Sequence, residues 1–128
     1  GAGGNCGSQV TTTLTRSLAI GDVHVEDWLK VLGREFVTAL VIGSILGAIG
    51  FLRAWIGWNA DLDLSLVGAV SLPLVVLWAA SVGSLLPLGA KRVGIDPAVM
   101  SAPFIATFVD ATGLIIYFEI ARRILLVQ

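Results

Sequence analysis

Apolar positions along this chain gather into three long blocks instead of scattering. "FVTALVIGSILGAIGFL" runs from Phe36 to Leu52 and continues past Arg53 to Ile56. "LSLVGAVSLPLVVLWAASVGSLLPL" runs from Leu64 to Leu88, and a third block runs from Pro97 to about Ala121. Each approaches or exceeds the roughly 20 residues that a helix needs to cross a bilayer. Backbone facing lipid must satisfy its own hydrogen bonds, so all three are read as membrane helices, over approximately 34–56, 64–89 and 97–122. Pro73, Pro87 and Pro103 would count against soluble helices, yet membrane helices tolerate proline and bend at it. Polar punctuation separates the blocks. "GWNADLD" reads as a turn, and "GIDPA" supplies Asp96 as a helix N-cap with Pro97 at the first helical position. Trp28, Trp55 and Trp58 suit a membrane–water interface, whereas Trp78, mid-block, suits packing.

Residues 1–20, "GAGGNCGSQVTTTLTRSLAI", break the pattern, being too polar to face lipid. On helical spacing Asn5, Gln9, Thr12 and Arg16 share one face, while Val10, Leu14 and Leu18 turn toward another. Two readings stand: a flexible Gly/Ser-type linker, or part of a membrane helix that lines water. Residues 21–35 read as a connecting segment. The expected fold is thus an all-α integral membrane protein, a polytopic bundle of three full membrane helices plus an N-terminal part-helix.

Composition narrows the function. With 56% hydrophobic and 13% charged residues and a mean hydropathy of +0.92, the chain could not cover a soluble domain with polar groups. The net charge of -1 comes without a basic cluster, which argues against nucleic acid as a partner. Cys6 is alone and cannot form an internal disulfide, and with a lone His24 it makes a poor soft-metal site. No nucleophile–base pair, phosphate loop or zinc spacing supports an enzyme. Lys and Arg set the orientation. Arg16, Lys30, Arg34, Lys91 and Arg92 fall on one side, and Arg53, Arg122 and Arg123 on the other. The bias favours a cytoplasmic 21–35 segment and an external C-terminus, in a multi-pass protein of the cell membrane surrounded by lipid.

One residue resists the lipid setting. Asp110 lies about 20 Å along a helix from Pro97, near the bilayer centre, where insertion scales charge a carboxylate roughly 2.5–3.5 kcal/mol. No basic residue lies inside a block to pair with it, so an ion path is the default reading. Pro103, Ala106, Gly113 and Tyr117 share its helix face, and apart from Tyr117 they leave room beside the carboxylate. Such a strip also allows close helix packing. Glu119 is spaced for surface ion pairs with Arg122 and Arg123, and "GSILG", Gly43 to Gly47, for a helix contact. Asp22, Glu26, Asp27 and Asp96 would form an acidic rim or simply a solvated loop surface.

"GGNCGSQVTTTLTRSLA", "EDWLKVLGREF" and "GIDPAVMSAPFIATFVDATGLIIYFEIAR", in that order and spacing, resemble the membrane domain of the MgtE-type magnesium channels and transporters. The resemblance covers essentially the whole chain. It implies five membrane helices per subunit in a homodimer, with the ion path on the two-fold axis and Mg²⁺ as transported ion and ligand. The chain would begin inside the second helix. It would lack the family's cytoplasmic regulatory part, a helical domain followed by a paired CBS module. The position matching Asp110 is the family's central magnesium-site carboxylate. Those matching Gly1, Ser8 and Ala106 lie along the same pore, and that matching Asp96 sits at its cytoplasmic mouth. Members often carry Asn where Ser8 and Ala102 stand here, so fewer amides remain to hold the ion's water shell.

Mg²⁺ exchanges its waters reluctantly, so a pore does best to hold the hydrated ion through them. Asp110, Asn5, Gln9 and Thr12 supply oxygens for such a wide ring, with Gly113 on the roomy strip. Two rivals remain: a structural or assembly subunit whose Asp110 bonds a partner helix, and a proton-coupled cation carrier using Asp110 as a relay. In the first, Asp110 would be buried against a polar group; in a pore it would face water.

Overall fold

The computed structural model describes residues 1–126. Residues 127 and 128, the end of the predicted 36–128 helical region, lie outside the described residues. Four α-helices make the fold: α1 (Ala2–Ala19), α2 (Trp28–Leu52), α3 (Leu62–Arg92) and α4 (Ala102–Leu125). Among the described residues there is no strand. Three helical stretches are long and apolar enough to cross a membrane: Val25–Gly57, Leu62–Arg92 and Ala102–Leu125. The chain is therefore a helical membrane bundle. Its outward surface carries large apolar side chains such as Val41, Ile45, Ile49, Phe104, Leu114 and Phe118, a surface made for lipid rather than water.

The three predicted spans exist, with shifted ends. Residues 28–35, expected in the connecting segment, are already the first turns of α2. The apolar block starts at Phe36, but a helix continues through the polar interface as long as its backbone bonds hold. At the other end α2 gives way to a π turn, Arg53–Gly57, where the Arg53 guanidinium lies 5.1 Å from the Trp58 ring centroid. The predicted 97–122 span is split. Asp96 does cap a helical turn, accepting from the Ala98 N–H at 2.9 Å, but that turn is the 3-10 turn Pro97–Val99. Pro103 has no N–H to give to Val99, whose carbonyl instead accepts from Ser101. The chain restarts as α4 with Ser101 as N-cap, its hydroxyl accepting from Phe104 N–H at 3.4 Å.

α3 is the central helix and packs on all three others, and α1 also packs on α4. These contacts run through small residues, as expected where close approach rather than water exclusion holds helices together. A Cβ on Gly83 would lie 2.6 Å from the Gly7 carbonyl oxygen, so α1 and α3 touch backbone to backbone. Thr11 Oγ1 fastens that crossing by donating to the Gly83 carbonyl at 3.0 Å. A Cβ on Gly43 would lie 2.7 Å from Pro73 Cα, and one on Gly47 2.6 Å from the Ala69 carbonyl oxygen. The "GSILG" contact is thus the α2–α3 seam. Ala79, Val82, Ile105 and Val109 fill the α3–α4 seam, and Trp78 Nε1 donates to Thr112 Oγ1 at 2.7 Å across it.

Leu14 and Leu18 of α1, Val31 of α2 and Leu88 of α3 form one apolar cluster. It gathers the end of α1, the start of α2 and the end of α3. The chain turns there through Gly21 and Gly94, whose φ of +80° and +81° would strain any side-chain-bearing residue. Arg16, Lys30, Arg34, Lys91 and Arg92 lie at or near this end, which we call the basic end.

Candidate functional site

Residues 1–20, open between coil and helix from sequence alone, form α1, and this decides what Asp110 can meet. Asp110 sits eight residues, about 12 Å, into α4. Its Oδ1 accepts from the Gly4 N–H at 2.8 Å and lies 3.4 Å from the Gly1 nitrogen. The approach requires glycine: a Cβ on Gly4 would lie 2.5 Å from Oδ2. Even so, the Asp110 side chain is 43% exposed. Among the described residues no Lys, Arg or His side chain pairs with it. A fixed carboxylate thus opens from inside a membrane-spanning helix to whatever lies beside the bundle.

Gly1, Gly4, Ser8, Thr12 and Thr15 follow at three- and four-residue steps down α1, one row beginning at the carboxylate. Ser8 donates to the Asn5 carbonyl at 3.0 Å and Thr12 to the Ser8 carbonyl at 2.8 Å, so each hydroxyl keeps its lone pairs for something outside the helix. The row ends at a cavity of about 710 Å³, lined by Thr15, Lys91, Asp96 and Pro97 among others. The buried Thr15 hydroxyl has no hydrogen-bond partner among the described residues. On α4, Ala106 lies one turn before Asp110 and is half-buried.

Three of the predicted residues are placed differently from that row. Asn5 and Gln9 line a cleft on the other flank of α1, shared with α2. Each follows a member of that row, Gly4 or Ser8, by one residue, which at 3.6 residues per turn is about 100° around the helix. Gly113 is buried, with Val75 Cγ1 of α3 3.2 Å from where its Cβ would stand, so it serves the α3–α4 contact rather than an open strip. Glu119 forms the expected surface pairs, with Arg122 at 2.9 Å and Arg123 at 2.8 Å. Sequence reasoning missed Gly4 and Thr15. Gly4 lay within a glycine-rich run, but only the position of α4 shows that its missing side chain makes room for a carboxylate.

The MgtE family, described as divalent cation transporter, matches residues 1–120. The chain belongs to the MgtE family. It is 40% identical to the magnesium transporter MgtE of Thermus thermophilus over 125 residues, covering 98% of this chain and 27% of that protein. The magnesium transporters MgtE of Enterococcus faecalis and Bacillus subtilis are 34% and 31% identical, each over 94% of this chain and 26% and 27% of their own lengths. The chain spans about a quarter of the length of these relatives. As an MgtE-family segment with three membrane-spanning helices, it is part of a multi-pass membrane protein.

Proposed function

We propose that this MgtE-family chain forms the ion path of a magnesium transporter, with hydrated Mg²⁺ held by Asp110 and conducted toward the basic end, taken as cytoplasmic. One observation carries the reading. Asp110 is a 43% exposed carboxylate inside a membrane-spanning helix, with no basic side chain paired to it among the described residues. Lipid is a poor neighbour for that group, and water or a cation is the occupant that suits an open, charged carboxylate. The Gly4 N–H orients one oxygen and leaves the rest of the carboxylate's acceptor capacity open.

Two copies related by a two-fold axis would bring two Asp110 carboxylates together, a charge of −2 against the ion's +2. An isologous contact needs only one carboxylate per chain to do this. The ion would keep its inner waters, because Mg²⁺ dehydrates reluctantly. Its outer waters would meet the Ser8 and Thr12 hydroxyls and the backbone carbonyls of the glycine-rich turn. Beyond them Asp96 and Thr15 would form the mouth.

The full-length protein in proteoliposomes tests the reading. Magnesium uptake should follow the membrane potential and persist without a pH gradient. Uptake that vanishes when the pH gradient is collapsed at constant potential would replace it with a proton-coupled carrier.

A further inference from the structure

The flank of α1 turned away from Asp110 carries a row that lies outside the path proposed above. Asn5, Gln9, Thr13 and Ser17 repeat at four-residue spacing and all line the cleft between α1 and α2. Their side chains have no hydrogen-bond partner among the described residues, although a hydroxyl in a helix commonly donates to the carbonyl four residues back, as Thr12 does. The cleft is large, about 830 Å³, because α1 and α2 both lean on α3 and barely touch each other. Its opposite wall carries Lys30, Arg34, Glu35 and Thr38, with Asp22 and Asp27 at the basic end, and apolar Ala39, Ile42 and Leu46 farther along α2. A row of four unpaired polar side chains, with ionised ones across from its end at the basic end, is not a surface for hydrocarbon.

We infer that the α1–α2 cleft is a water-filled crevice, open at the basic end and reaching up α1 to the level of Asn5. α1 then has water on two sides, the Asp110 row and the crevice. The inference rests on the membrane-spanning fold and not on magnesium being the transported ion.

Cysteine accessibility tests it in the full-length protein, reconstituted in liposomes in a cysteine-free background that includes Cys6→Ser. Gln9→Cys, Thr13→Cys and Ser17→Cys are exposed to a charged, membrane-impermeant methanethiosulfonate added at the basic end. Val37→Cys is the control, since Val37 is 62% exposed on α2 and does not line the cleft. The thiolate is the reacting species and forms readily only in water, so the three cleft cysteines should react at least about 100-fold faster than Val37→Cys. Rates should fall in the order Ser17, Thr13, Gln9 with depth. Each variant is first shown to keep the gel-filtration profile of its background, so that slow labelling reports the cleft and not misfolding. Cleft cysteines as slow as Val37→Cys would overturn the inference and mean that lipid or another helix seals the cleft. Magnesium flux does not enter this readout, so the transport reading and this one fail separately.

Discussion

Gly4 is the residue on which the position of Asp110 most directly depends. A Cβ there would meet the carboxylate at 2.5 Å, and the carboxylate, at the end of a rotatable side chain, would swing away. Gly4→Ala should therefore spare the fold and move the charge. We expect magnesium flux to fall at least about tenfold, the equivalent of roughly 1.4 kcal/mol, with an unchanged circular dichroism spectrum. Normal flux would mean that the Gly4 contact does not set the carboxylate's working position. Asp110 itself was legible in the sequence, because a lone carboxylate in an apolar block is anomalous on any reading. Its partner was not, because a backbone N–H leaves no mark in sequence and only the docking of α1 on α4 selects Gly4. Asn5 and Gln9 show the opposite case. Their polarity was visible, but whether they face the Asp110 row or the α2 cleft depends on which neighbour α1 meets on each flank.

Helix pairing depends on glycines placed against backbone. Gly47→Ala would press a methyl group to 2.6 Å from the Ala69 carbonyl oxygen, and Gly83→Ala to 2.6 Å from that of Gly7. Backbone cannot rotate aside, so the helices must separate, at about 1–3 kcal/mol each. Both variants should lower the unfolding temperature of the detergent-solubilised protein. Thr11→Val removes only the bond to the Gly83 carbonyl and should cost less, near the roughly 0.6 kcal/mol average of interhelical bonds in membranes. A loss in Thr11→Val as large as that in Gly83→Ala would mean that the hydroxyl holds α1 to α3 as much as close approach does. The membrane helices were readable because length and hydropathy fix them. Their ends were not. Trp28 to Glu35 continue α2 through polar sequence, and Pro103 separates the Asp96 turn from α4 by a backbone bond that cannot form.

At the scale of the whole molecule, one chain supplies one carboxylate and one half of a path. A two-fold dimer with the path on its axis would bring the two copies of Ala106, one turn from Asp110, close together. Ala106→Cys in a cysteine-free background that includes Cys6→Ser should form an intersubunit disulfide rapidly under mild oxidation, whereas Val37→Cys, exposed on α2, should not. Absence of that crosslink in membranes that transport magnesium would place the path within one subunit or along another interface.

The central claim is that the Asp110 charge meets the ion, and one comparison of flux tests it most directly. In the full-length protein in proteoliposomes, Asp110→Asn keeps the side chain's size and an acceptor oxygen but removes the charge. A unit charge at short range is worth several kcal/mol at an effective dielectric near 20, so after screening by water magnesium flux should still drop at least about 100-fold. Asp110→Glu should do almost as badly, because a longer arm displaces the ion's waters. Glu119→Gln, in an exposed pair with Arg122 and Arg123, should transport normally. Each protein is checked for its oligomeric state, so that a lost assembly is not mistaken for a lost site. The account predicts an intact assembly with magnesium flux abolished in Asp110→Asn alone of the two charge-neutralising variants. Magnesium flux at the parent rate in Asp110→Asn, or loss of flux only because the subunits separate, would contradict it.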